Sequence, residues 1–239
     1  NKKETVRRKS VAVQLAHADD DYDSDEEDVN EDVDGRIAAT MGTAKAEGDA
    51  SVLDAAAALA AGDSRVEQVI ICTPDKDLAQ CVTADGRVVQ YDRRRELLYD
   101  RDGVIEKFGV PPESIPDYLG VVGDSADGFP GLSGWGAKSA AAVLRRYGHI
   151  EHIPLDVAEW DVEVRGAAKL ASTLRDNIDD ALLFRRIATV DLAAPVSDSV
   201  DDMAWRGPRP GFDEMCIALG AQRQQERAHE LWEDHRHGS

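Results

Sequence analysis

Residues 66 to 72, VEQVIIC, form an almost unbroken β-branched apolar run of strand length. A run of this kind is the signature of a strand covered on both faces, and so of a parallel sheet inside a layered α/β core. The flanking segments agree. ASVLDAAAALAAG is rich in Ala and Leu and closes on Gly62, where a helix would end in the left-handed conformation, so residues 50 to 61 read as a helix. GRVVQYD at 86 to 92 reads as a second strand, and VIEKFG as the end of a short helix that stops at Gly109. Helix, strand, helix, strand is an α/β order.

From Pro111 the pattern changes. ESIPDYLGVVGD, AKSAAAVLRRYG and VRGAAKLASTLRDNIDDALLFRRIATV all read as helical, and no long β-branched run intervenes, so a helical subdomain follows the sheet. The stretch WRGPRPGFDEMCIALGAQRQQERAHELWED starts as a Pro/Gly loop and returns as one or two short helices. His229, His235 and His237 are irregularly spaced on a tail expected to fray, and read as polar residues rather than a metal cluster. No internal repeat is present.

Composition matters here through charge. The 239 residues carry a formal charge of −19, which by itself argues against a nucleic-acid partner, because affinity for a phosphate backbone comes from Lys and Arg. The distribution weakens that objection. DDDYDSDEEDVNEDVD, residues 19 to 34, holds eleven acids and no base. It lacks the glycine and closing Glu spacing of a calcium loop, so residues 1 to 46 read as an acidic, disordered segment. Residues 35 to 239 carry 23 bases against 35 acids, so any nucleic-acid contact must be local. The candidate clusters are Arg93-Arg94-Arg95, Lys138 with Arg145-Arg146, and Arg185-Arg186. No apolar run approaches the roughly 20 residues that cross a bilayer, and the amino end lacks the order of a signal peptide. The expectation is a cytoplasmic address with no membrane partner. Cys72, Cys81 and Cys216 are odd in number and widely spaced, so they read as reduced thiols.

Chemistry enters with TPDKD, in which Asp75 and Asp77 leave the carboxyl end of the 66 to 72 strand, where sites assemble in open α/β sheets. A second pair, Asp124 and Asp127, is spaced to face one side of a turn or helix start. Either pair alone also reads as ordinary turn or capping chemistry. Two pairs from different segments are what holds hard divalent cations through oxygen ligands. In GLSGWGAKSAA, Gly131, Gly134 and Gly136 precede a small-residue helix starting near Ala137, so backbone N–H groups can approach a phosphate, with Lys138 adding charge. The Gly-x-Gly spacing is that of helix-hairpin-helix turns, which hold DNA backbones without reading bases. The two features fit together if the loop grips one phosphodiester while ions held by the carboxylates act on another. Two such ions about 4 Å apart can activate water and stabilise a leaving oxygen.

From about Val66 to Arg186, the linked runs TPDKDLAQ and FGVPPESIPDYLGVVGDSADGFPGLSGWGAKSAAAVL closely resemble the bacterial 5′-3′ exonuclease and flap endonuclease family, the nuclease domain that also precedes DNA polymerase I. The resemblance implies an α/β fold, with a PIN-like nuclease core on a parallel sheet and a helix-three-turn-helix subdomain of helix-hairpin-helix type. It implies Asp75, Asp77, Asp124 and Asp127 as catalytic and metal-site carboxylates for Mg2+ or Mn2+. It also implies a K+ site at the glycine turn, where Gly134, Gly136 and Ser139 match, and DNA as partner, branched or 5′-ended and bound without sequence preference. No protein partner is suggested.

Towards the amino end the family pattern changes. Family members begin with a buried strand bearing a metal-binding Asp, then a basic helical arch, then a Glu-x-Asp-Asp cluster. Here SVAVQL, residues 10 to 15, is at best a poor first strand, and no basic arch precedes residue 66. Glu47 and Asp49 keep the Glu-x-Asp spacing and join the expected metal set, with Ala50 where a second Asp is expected. The expected organisation is an acidic segment over 1–46, a partial nuclease core over 47–110 and a helical DNA-binding part over 111–239. A metal-dependent 5′ nuclease is the leading reading. Its rival is a DNA-binding module that keeps the phosphate grip but is too depleted in carboxylates to cut. A nucleotide-binding α/β protein is disfavoured, because no Gly-rich loop joins a strand directly to a helix.

Overall fold

The structure, a computed structural model, describes residues 9–14, 50–196 and 199–237. A four-stranded sheet runs in the order β1 (Lys9–Gln14), β2 (Val66–Cys72), β3 (Val88–Asp92) and β4 (Leu97–Tyr99). The first three strands are parallel, with Gln14 opposite Cys72 and Cys72 opposite Tyr91, so their carboxyl ends share one edge of the sheet. Strand β4 turns back antiparallel to β3, with Asp92 opposite Leu97. The connection of residues 93–96 is too short for the crossover that a parallel partner requires.

Both faces of β2 are covered, as its apolar run predicts. Val69 and Ile71 pack with Leu78, Val88 and residues Ala57 and Ala60 of helix α1 (Ala50–Gly62). Ile70 meets Val89 on the other face. Of residues 10 to 15, read from sequence as a poor strand inside a disordered segment, 10–14 instead form β1 together with Lys9. Six residues carrying Lys9, Ser10 and Gln14 have little periodicity of their own, and the strand is defined by its hydrogen-bonded pairing with β2. The acidic tract and the rest of 1–46 lie outside the described residues.

The helices that follow are α2 (Arg101–Phe108), α3 (Ile115–Val122), α4 (Ala137–Tyr147), α5 (Ala167–Asp176), α6 (Ile178–Ala188), α7 (Phe212–Leu219) and α8 (Gln222–His237). The centre of this part is α3, whose Ile115, Leu119 and Val121 share one buried cluster with Val143, Leu144 and Leu174. Helix α6 lies directly on it: a Cβ at Gly120 would come within 2.9 Å of the Arg185 amide nitrogen. A polar knot ties the same layer. Buried Asp117 accepts from the Ile150 amide at 3.0 Å and meets His149 Nδ1 at 2.8 Å and Arg185 Nη1 at 3.4 Å.

The carboxyl-terminal residues form α8, which makes side-chain contacts with the segments before it. Trp232 packs edge-on against Trp205 at 5.4 Å and stacks with His235 at 5.7 Å, and His229 Nε2 lies 2.8 Å from Asp213 Oδ1. Aromatic contacts of this kind are visible only once the loop at residue 205 is placed against α8. Cys72, Cys81 and Cys216 form no disulfide, and among the described residues no helix is long and apolar enough to cross a membrane.

Between α3 and α4 the chain closes a short loop by direct backbone contact. Gly123 has φ 91° and Gly131 φ 68°. A Cβ at Gly131 would stand 2.4 Å from the Gly123 nitrogen, and one at Gly123 would stand 2.5 Å from the Pro130 carbonyl carbon. Leu132 N donates to Val121 O at 2.8 Å and completes the closure. Gly131→Ala therefore meets both an unfavourable φ and a backbone clash, and is expected to cost about 2–4 kcal/mol in urea unfolding. Gly128→Ala, in the same loop at φ 80° with open space around it, is expected to cost only about 1–2 kcal/mol.

Candidate metal centre

The turn that leaves β2 is stitched by its own side chains. Asp75 N donates to Thr73 Oγ1 and Asp77 N to Asp75 Oδ1, each at 3.2 Å, which are Asx- and Ser/Thr-type turn bonds. Asp77 then opens a 3-10 turn, Asp77–Cys81. Two carboxamides, Gln90 from β3 and Gln80 within the turn itself, hold it in place. Gln90, fully buried in β3, donates to Thr73 O at 3.1 Å and also to Asp75 O. Gln80 donates to Asp77 O at 2.7 Å and Ala188 O at 2.9 Å and accepts from Val190 N at 3.2 Å, so the turn is fastened to the end of α6.

The second pair of acids comes from the loop closed by Gly123 and Gly131. Asp124 and Phe129 exchange backbone hydrogen bonds of 2.9 and 3.0 Å, and Phe129 is anchored by stacking on Phe184 at 5.7 Å. Asp124 is only 2% exposed; its Oδ1 accepts from Ala126 N at 3.0 Å and its Oδ2 meets Lys76 Nζ at 2.6 Å. Asp127 lies on the exposed rim.

Asp77, Asp124 and Asp127 bring one carboxylate oxygen each to within 4.8 Å of one another. Asp77 Oδ1 is buried and has no hydrogen-bond partner. Burial first, then a hydrogen bond with Asp127 and the fields of Asp75, Asp127 and Asp124, push the Asp77 carboxyl up to about 8. Close carboxylates in a poorly solvated place either retain a proton or need a cation. The donor set is all oxygen, two of its members are buried, and one oxygen is unsatisfied, so these residues fit a hard divalent cation.

The expected residues separate into three groups. Asp77, Asp124 and Asp127 converge. Asp75 shares the turn of Asp77 alone and directs Oδ1 to the Asp77 amide. Glu47 and Asp49 lie outside the described residues. At the glycine turn, Gly131 is accounted for by its packing on Gly123, whereas Gly134 (φ 85°) and Gly136 are exposed on either side of buried Trp135, whose Nε1 donates to Leu170 O at 3.2 Å. Ser139 Oγ accepts from Gly136 N at 3.1 Å and lies 3.0 Å from Gly136 O, closing the first turn of α4, while Lys138 is exposed. Lys76, Gln80 and Gln90 went unnoticed in the sequence. The available signal was a polar side chain inside an otherwise apolar strand for Gln90, and a cation between two acids for Lys76.

An α/β fold in which the turn after β2 and the loop between α3 and α4 bring carboxylates together, with a glycine turn on the helical part, defines a protein with a candidate carboxylate metal site. Residues 110–211 match the family model described as 5′-3′ exonuclease, C-terminal SAM fold. The chain is 38% identical over 145 residues to DNA polymerase I of Bacillus caldotenax, covering 59% of this chain and 16% of that protein. It is 43% identical over 86 residues to the 5′-3′ exonuclease of Aquifex aeolicus, covering 36% of this chain and 29% of that one. A solved structure of T5 5′-exonuclease with bound zinc superposes with a TM-score of 0.46 at 16% identity, over 77% of this chain and 58% of that one. The chain is similar to bacterial 5′-3′ exonucleases and to a part of DNA polymerase I, and spans well under half the length of these two curated relatives.

Two expectations follow from the carboxylates. In the unfolded chain Asp77 titrates near 3.8 and in the fold at about 8. Between those values the folded protein holds the extra proton, so metal-free stability falls as pH rises. In chelator, Asp77→Asn is expected to melt several degrees above the parent at pH 8, with the gap closing as pH falls towards 4. Calorimetry or circular dichroism melts would show the two curves converging. The ammonium of Lys76 neutralises the oxygen that a cation would take on Asp124, so Lys76→Met is expected to raise Mn2+ affinity several-fold by isothermal titration.

Proposed function

We propose that this chain is a divalent-metal-dependent nuclease that hydrolyses DNA phosphodiester bonds, with Asp77, Asp124 and Asp127 as ligands and Asp75 beside them. The observation that carries this reading is the unsatisfied Asp77 Oδ1 within a trio of carboxylate oxygens no more than 4.8 Å apart. A bound Mg2+ or Mn2+ would supply the positive charge that lowers the barrier for water attack and stabilises the departing oxygen. The protein's part is to hold the ligands. Asp77 is fixed by its 3-10 turn and by Gln80, Asp124 by its bridge to Phe129, and the 73–77 backbone by Gln90.

The exposed turn at Gly134 and Gly136, with Lys138 at the start of α4, suits a backbone phosphate and supports sequence-independent binding of DNA. Carried over from the kind of proteins that match, the substrate is a 5′-ended or branched duplex, attacked as an exonuclease or at a flap, and K+ sits at the glycine turn. Labour divides between the sheet part, residues 47–110, with Asp75 and Asp77, and the helical part, 111–239, with Asp124, Asp127 and the phosphate grip. A cytoplasmic location accords with this function.

One observation favours a second reading, a DNA-binding module that does not cut: β1, KSVAVQ, contributes no carboxylate to the shared edge of the sheet. Labelled 5′-flap and 5′-recessed DNA incubated with Mg2+ or Mn2+ separates the two. Cleavage is expected to be slow, to stop with chelator, and to fall by about two orders of magnitude in Asp77→Asn and Asp124→Asn proteins that fold normally. Binding without cleavage would establish the second reading, and undiminished cleavage by both variants would remove these carboxylates as the site.

A further inference from the structure

Because β2 and β3 are parallel, with Cys72 opposite Tyr91, whatever follows Cys72 and whatever follows Asp92 leave the sheet at the same edge. After Cys72 comes the carboxylate turn. After Asp92 come Arg93, Arg94 and Arg95, all exposed at the tip of the β3–β4 hairpin. The tip has a defined backbone. Asp92, 2% exposed, accepts from Arg94 N at 3.0 Å and Arg95 N at 3.2 Å through Oδ1, and Glu96 completes the reversal at φ 54°. Lys107 adds to the same positive region. Its Nζ lies 4.2 Å from the Tyr99 ring centroid and 5.0 Å from that of Phe108, within the fields of Asp92, Arg95 and Asp75.

Several basic residues elsewhere are engaged within the fold, and Arg94 of the hairpin also has a partner. Arg146 pairs with Asp161, Arg101 with Glu113, and Arg185 with both Asp117 and Glu151. On the hairpin, Arg95 Nη1 stands 3.9 Å from Asp92 Oδ2, too far for a hydrogen bond. Three exposed arginines follow β3 at the sheet edge that also carries the Asp75–Asp77 turn, in a chain of charge −19 that would otherwise repel a phosphate. Guanidinium forks match phosphate oxygens in geometry as well as in charge.

We propose that the Arg93–Arg95 hairpin, with Lys107, binds the phosphate backbone of the DNA strand that approaches the carboxylate centre. This rests on the nuclease reading and adds to it a phosphate-binding surface separate from the glycine turn. It also explains how an acidic site in an acidic protein admits a polyanion.

The test is fluorescence anisotropy of labelled 5′-overhang duplex DNA against the full chain, with Ca2+ in place of Mg2+, over a range of salt. Each phosphate contact contributes about 0.9 to the slope of log affinity against log salt. Replacing Arg93, Arg94 and Arg95 by Ala is expected to weaken low-salt binding about ten-fold or more and to flatten the slope by about 2–3, with no change in melting temperature. The triple Lys variant should keep most of the slope. A control with Arg223→Ala and Arg236→Ala on α8 should keep all of it. An unchanged slope in the triple Ala variant, or an equal loss in the α8 control, would overturn the proposal while leaving parent binding and cleavage to support the nuclease reading. A parent chain with no salt-dependent DNA binding would remove both.

Discussion

The backbone contact between Gly123 and Gly131 is the constraint on which the rest of the site depends. It brings the end of α3 against the approach to α4 at distances that no Cβ permits, and it shuts the loop from 124 to 129 into a fixed shape. Asp124 is then carried to the carboxyl edge of a sheet it does not belong to. There it meets Lys76, and with Asp127 it approaches Asp77. Two segments remote in sequence share one small volume because two residues have no side chain.

What results is an electrostatic imbalance held in place by packing. The Asp77 carboxyl is pushed well above the ordinary carboxylate range chiefly by burial, and the neighbouring acids add to the shift. Lys76 answers part of the charge on Asp124, leaving one oxygen of Asp77 unsatisfied. Such an arrangement is unfavourable in isolation, and a cation among the three oxygens would relieve it.

Much of this was legible in the sequence, for identifiable reasons. The run VEQVIIC and the Ala-rich segment before it carry their own periodicity, so β2 and α1 could be placed from local pattern, as could α4 between Gly136 and Gly148. Strand β1 was not legible as a firm element, since its place in the sheet comes from pairing with residues more than fifty positions away. The three-residue β4 has the same difficulty. Among the carboxylates, Asp77, Asp124 and Asp127 could be named from two short motifs. Their company could not: Gln80 acts on Ala188 and Val190, and Gln90 on Thr73 and Asp75, contacts that no spacing rule encodes. Gly131 shows the reverse case, a motif glycine for which close backbone packing is a sufficient reason.

The two carboxamides, Gln80 and Gln90, have a property that the acids around them lack: neither gains nor loses a proton in the physiological range, and neither bears a net charge for dissolved ions to screen. The contact of Lys76 with Asp124 must respond to the solvent, and the protonation of Asp77 must respond to acidity. The turn that presents Asp75 and Asp77 is tethered by groups indifferent to both. The frame of the centre is therefore insulated from the medium while its occupancy remains tunable by it, so that ionic conditions can change what the site holds without changing its shape.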